Sequence, residues 1–68
     1  MNLFAKRLKE LREEKNLLQA ELGKQFGVGR TTITSWEGGN SEPNFDMLIA
    51  IADFFEVPID YLLGRTDY

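Results

Sequence analysis

The groups able to do chemistry in this 68-residue chain are few and unevenly placed. Histidine and cysteine are both absent. That removes the commonest general base, the commonest transition-metal ligand, the near-neutral pH switch and every thiolate or disulfide. Asp46, Asp53 and Asp60 recur every seven residues, but carboxylates at that spacing on helices are most simply caps and solvated surface groups. The "GVG" at residues 27–29 is a lone Gly-x-Gly: no third glycine and no Gly-Lys-Ser/Thr follows, and no strand precedes it. No catalytic residue, metal, cofactor or small-molecule ligand is therefore expected. What remains is "RTTITSWEGG" from residue 30, where Arg30, Thr31, Thr34 and Ser35 crowd hydrogen-bonding groups of little bulk into a short span. Trp36, the only tryptophan, lies at its centre.

Such a run is a strand or a helix. In a strand Ile33 and Trp36 point to opposite faces, each among threonines, so neither face is apolar. At about 100° per residue, Thr32, Ile33 and Trp36 share one side of a helix, and Thr31, Thr34 and Ser35 gather opposite, with Arg30 at the leading edge. Each threonine costs about half a kcal/mol relative to alanine in a helix. Burying Ile33 and Trp36 returns roughly 2 kcal/mol or more apiece, so helix wins. Its outer row suits the major groove, about 12 Å wide, where Arg pairs with guanine and Thr or Ser touches bases or thymine methyls. A threonine-rich surface helix without a ligand is the plainer reading of the same pattern.

The elements that must position this helix are legible on either side. Phe4, Leu8 and Leu11 mark an amphipathic helix over about 3–15, with Asn2 as N-cap, Lys6–Glu10 and Lys9–Glu13 pairs outside, and Asn16 ending it in a left-handed turn. A second helix runs from about Leu18 to Phe26, with Leu22 and Phe26 on one side and Gly27 as its stop. After the "NSEPN" loop, Asn44 caps a helix carrying Phe45, Leu48, Ile49, Ala52 and Phe55, with Asp46 in its first turn. Pro58 opens a last helix whose apolar side is Ile59, Leu62 and Leu63, and Gly64 closes it. The expected fold is all-α, five short helices in one domain spanning 1–68, with 64–68 reading as the start of a linker.

Composition bounds the partners. A chain this short buries about 60% of its unfolded surface, and with 43% apolar residues its core is modest, so a second subunit can contribute. No apolar run approaches the roughly 18 residues of a membrane span, and the N-terminus lacks a signal-peptide core; a cytoplasmic protein with no membrane partner is expected. The net charge is −3, yet residues 1–30 hold seven Lys/Arg against four acids and residues 31–68 one against seven. One end can face a polyanion while the other is held away, although solvated helix faces give the same asymmetry.

Across residues 4–64, Gln19, Glu21-Leu22, Gly27-Val28, Ile33, Trp36-Glu37, Gly39, Pro43 and the closing "DYLLG" occur in an order and spacing that resemble the helix-turn-helix domains of the phage repressor/Cro superfamily, the XRE family. The resemblance implies a lambda repressor-like five-helix domain with its helix-turn-helix over about 18–37 and the third helix in the major groove. It implies base contacts from Arg30, Thr31, Thr34 and Ser35, Arg30 being equally suited to a phosphate. It implies phosphate contacts from Gln19, Gly29, Thr32, Gly38, Asn40 and Ser41. Three departures stand out: Leu18 and Gly29 occupy positions where the family carries Ser or Thr caps, and "EGGN" lacks the usual loop cation. Those losses imply weaker non-specific affinity.

The function implied is a sequence-specific double-stranded DNA-binding regulator, a repressor of the phage or mobile-element type. It would act as a homodimer, at least on DNA, on a near-palindromic operator. The dimer contact is expected at Phe54, Phe55, Ile59, Tyr61 and Leu62, which otherwise complete the monomer core. The competing reading is a protein-interaction module, antitoxin-like or regulator-binding, that keeps the fold with weak or no DNA affinity.

Overall fold

Five residues, one from each helix, define the centre of the domain: Leu8, Leu22, Ile33, Ile51 and Leu62 are all fully buried. The computed structural model describes residues 2–67 as α1 (Phe4–Glu14), α2 (Gln19–Phe26), α3 (Arg30–Glu37), α4 (Phe45–Phe55) and α5 (Ile59–Leu62), with no strand among them. Phe4, Leu11, Trp36, Ala52 and Phe55 complete the buried core. The helical spacing of α1 is thus realised: Phe4, Leu8 and Leu11 all point inward. α2 and α3 pack closely against each other, and α1 lies across α3.

The helix ends follow local chemistry. Asn2 Oδ1 accepts from the Phe4 amide at 2.9 Å, one residue ahead of the formal cap. Asn44 Oδ1 accepts from the Met47 amide at 2.8 Å and caps α4. Asn16 (φ 57°), Gly27 (φ 71°) and Gly64 (φ 84°) take the left-handed turns expected of them. Pro58 is the cap of α5 rather than its first helical residue, and its carbonyl accepts from the Tyr61 and Leu62 amides. Glu56 ends α4 with φ 57°, a left-handed conformation that costs an ordinary L-residue roughly 1–2 kcal/mol and that no glycine or asparagine signalled.

The segment read as a linker is docked along α1. Arg7 Nη1 donates to the Tyr61 carbonyl at 2.7 Å and to the Thr66 carbonyl at 2.8 Å, and its guanidinium lies 4.2 Å from the Tyr61 ring centroid. Leu3 packs where a side chain on residue 64 would go: a Cβ on Gly64 would stand 2.7 Å from Leu3 Cγ. The backbone up to Thr66 thus lies against α1; Tyr68 lies outside the described residues.

Candidate nucleic-acid interface

α3 is held by its inner face. Ile33 is fully buried and Trp36 is 5% exposed, while Arg30, Thr31 and Thr34 are exposed on the other side. No side-chain cap holds its N-terminus, because Gly29 offers no oxygen. Packing, not capping or propensity, fixes this helix. Arg30 and Thr31 make no side-chain hydrogen bond among the described residues, so both present their full donor sets outward. Ser35 is half-buried and its Oγ pairs with Ser41 Oγ at 2.7 Å. Thr32 is half-buried beside Ile33.

Beneath α3 runs a chain of hydrogen bonds with defined direction. Arg12 Nε and Nη2 donate to Glu37 Oε2 and Oε1 at 2.7 and 3.0 Å, a two-pronged ion pair. Both side chains are nearly buried, at 11% and 4% exposure. Arg12 Nη1 also donates to the Leu17 carbonyl at 2.8 Å, just before α2. The hydrogen bond to Glu37, against the opposing effect of burial, raises the Arg12 pKa above its ordinary value, so the group stays charged at any pH the domain meets. Gln19 Nε2 donates to Glu37 Oε1 at 3.1 Å, and Thr34 Oγ1 donates to Gln19 Oε1 at 2.8 Å. One connected network thus ties α1, α2 and α3 together and reaches the outer face of α3.

By pattern alone Arg12 contributes only to the basic N-terminal half, and Glu37 only stands beside Trp36. No local spacing links residues 25 apart in sequence, and nothing in the chain marks Glu37 as the most enclosed carboxylate of the site. Gln19 keeps its expected place at the first turn of α2, but one of its two amide protons is spent on Glu37.

The α3–α4 loop is more committed than expected. The Gly38, Gly39 and Asn40 amides donate to the Thr34, Trp36 and Ser35 carbonyls, the usual way of closing a helix end. Those amides cap α3 instead of facing a phosphate, leaving the exposed side chains of Asn40 and Ser41. At the start of α2, Leu18 has no side-chain acceptor, but its amide donates to Glu21 Oε1 at 2.8 Å, so half of a capping arrangement survives.

The expected dimer residues divide. Phe55 and Leu62 are in the monomer core, where burial against the other helices leaves them no surface for a partner. Phe54 is half-buried between Phe26 and Phe55, its ring 5.5 and 5.0 Å from theirs in edge-on contacts. Tyr61 is half-covered by Arg7, and Ile59 is half-buried. The large apolar side chains left outside are Leu3, Leu18, Phe45 and Ile49; of these Phe45, 84% exposed, and Ile49, 47% exposed, lie one turn apart on α4. Among the described residues no three His, Cys, Asp or Glu side chains gather to hold a metal, and no helix is long and apolar enough to cross a membrane.

Known proteins share this arrangement. A family described as helix-turn-helix matches residues 8–62. The HTH-type transcriptional activator BcrR of Enterococcus faecalis is 47% identical over 64 residues, 94% of this chain and 31% of that protein. Repressor protein C2 of Salmonella phage P22 is 36% identical over 61 residues, 90% of this chain and 28% of that one. The P22 c2 repressor crystallised with synthetic operator 9T superposes with a TM-score of 0.86 at 33% identity, covering 97% of this chain and 100% of that one. A transcriptional regulator from Listeria innocua superposes at 0.91 with 27% identity, covering 97% and 62%. The chain spans 21–59% of the length of the curated relatives it matches. These relatives and their fold are those of transcription regulators, not enzymes. The chain belongs to the helix-turn-helix family, in its phage repressor/Cro (XRE) branch.

Proposed function

We propose that this chain is the operator-reading domain of a transcriptional regulator and that it binds double-stranded DNA through the outer face of α3. The observation that carries this is the polarity of α3: Ile33 and Trp36 are sunk in the core while Arg30, Thr31 and Thr34 stand exposed in a row of small polar groups. A helix so held offers a groove-sized ridge that already has its orientation, and little order is lost on binding. Arg30 serves a guanine or a phosphate, and Gln19, Asn40 and Ser41 lie outside the row to fix register on the backbone. The P22 C2 and RstR relatives are named repressors and BcrR an activator; repression is the reading adopted here, on the number of phage repressors among the relatives.

The test is retention of random and selected duplexes in a mobility-shift assay across salt. Affinity is expected to fall between about 50 and 200 mM salt, with a log–log slope near −0.9 per phosphate neutralised. A flat salt response, or no retention of any duplex at micromolar protein and low salt, rejects the reading and favours a protein-binding module.

The regulator acts as a homodimer on a near-palindromic site, with half-sites about one helical turn apart. With Phe55 and Leu62 consumed by the core, the apolar contact passes to Phe45 and Ile49. Phe45→Glu is expected to leave the melting temperature within about 4 °C, because the side chain is already solvated, roughly 0.5 kcal/mol at most being at stake at such a site. The same change should abolish cooperative occupancy of the two half-sites. Unchanged cooperativity in a titration of a two-half-site duplex would place the dimer contact elsewhere.

A further inference from the structure

We infer that Thr34 meets DNA with its methyl group and not as a hydrogen-bond donor, and so favours thymine over guanine; this rests on the DNA-binding reading above. The direction of every hydrogen bond beneath α3 follows from its chemistry. The guanidinium of Arg12 only donates and the carboxylate of Glu37 only accepts. Gln19 must therefore turn its NH₂ toward Glu37, at 3.1 Å, and its carbonyl oxygen Oε1 toward Thr34. A carbonyl cannot donate, so Thr34 is the donor in the 2.8 Å contact. The other acceptor in reach of that hydroxyl, the Arg30 carbonyl at 3.0 Å, is also part of the protein. The one proton of Thr34 is spent internally whichever acceptor takes it.

Thr34 is nevertheless exposed. With its proton spent on Gln19 or the Arg30 carbonyl, Oγ1 can only accept, and the apolar group left on this exposed side chain to meet a base is its γ-methyl. Guanine shows only acceptors, N7 and O6, in the major groove, so it finds no donor here. Thymine shows a 5-methyl group against which a second methyl packs. Arg12, Glu37 and Gln19 are positioning residues in this scheme: they set which end of Thr34 faces outward. The buried ion pair holds the Gln19 amide in one of its two orientations, and flipping it would put NH₂ against Thr34 and a carbonyl oxygen against the Glu37 carboxylate.

The experiment uses a duplex selected from a random pool by the wild-type chain, with each thymine of a half-site replaced in turn by deoxyuridine, which lacks only the 5-methyl group. At one thymine per half-site the wild type is expected to bind about fourfold more weakly, the transfer value of one methyl-sized group. Thr34→Val keeps a γ-methyl and the β-branch and should keep that fourfold penalty. Thr34→Ser keeps the hydroxyl alone and should bind the thymine and uracil duplexes equally. The inference is overturned if Thr34→Ser retains the penalty, if Thr34→Val loses it, if no thymine is methyl-sensitive, or if a guanine preference disappears with Thr34→Val. Retention of duplexes with no methyl-sensitive thymine defeats this inference alone; failure to retain any duplex defeats the DNA-binding reading with it.

Discussion

Replacing Glu37 with leucine is expected to cost the domain about 3–5 kcal/mol, the usual cost of stranding a buried charge. The Arg12 guanidinium, 11% exposed, would lose both of its carboxylate bonds and keep only the Leu17 carbonyl. Gln19 would lose its acceptor at the same time. A chain of this length holds roughly 3–10 kcal/mol in total at 0.05–0.15 per residue, so the single change should remove about a third of it at the least. Urea denaturation measures this directly. The double variant Arg12→Met/Glu37→Leu removes both charges and is expected within about 1 kcal/mol of wild type, since a buried ion pair and a well-packed apolar pair are often close in energy. If the double variant were as unstable as Glu37→Leu alone, the loss would lie in shape and not in charge. The double variant also releases Gln19 from its fixed orientation, so it should fold while discriminating poorly among duplexes.

Gly23→Ala is expected to destabilise by about 3 kcal/mol, the upper part of the range for overpacking, although glycine to alanine in an exposed helix normally gains about 1 kcal/mol. The sign reverses because of the turn between α2 and α3. A Cβ on residue 23 would stand 2.6 Å from the Val28 carbonyl oxygen and 3.2 Å from Gly29 backbone atoms. Those are main-chain atoms of the turn, held by the 2.9 Å bond from the Val28 amide to the Gly23 carbonyl, and they cannot swing aside as a side chain can. Relief requires α3 to move away from α2. Thermal melts read the stability, and duplex binding by the fraction still folded reads the displacement. A melting temperature at or above wild type would show that the turn yields without cost, and the close approach would then not be what sets the α2–α3 geometry.

Both substitutions act on features that local pattern could not show. The helices themselves were legible because their causes are local. The spacing of Phe4, Leu8 and Leu11, the stops at Asn16, Gly27 and Gly64, and the Asn44 cap all depend on neighbours within about four residues. The two faces of α3 were legible for the same reason: Ile33 and Trp36 needed only helical geometry to be separated from Arg30, Thr31 and Thr34. Gly23 read as an ordinary member of α2 because the atom it makes room for belongs to the next element. Glu56 gave no warning of its left-handed turn, since it is neither glycine nor asparagine. Phe55 and Leu62 suit a partner or the monomer core equally by pattern, because amphipathicity identifies an apolar side and does not say what covers it; the core takes them.

The sequence by itself determined where the helices lie, which face of each is apolar, and that residues 30–35 carry small polar groups with no catalytic chemistry around them. Only the tertiary structure decided which of those groups keep a hydrogen-bonding proton for a ligand. Arg12, in the last turn of α1, and Glu37, the last residue of α3, meet in a nearly dry site. Burial then strengthens their bond and fixes the direction of the bonds that follow, through Gln19 to Thr34. Hydrogen-bond direction is a property of the whole network and cannot be assigned from the residue types at the reading face. It is there that the meaning of threonine at position 34 changes from a donor to a methyl.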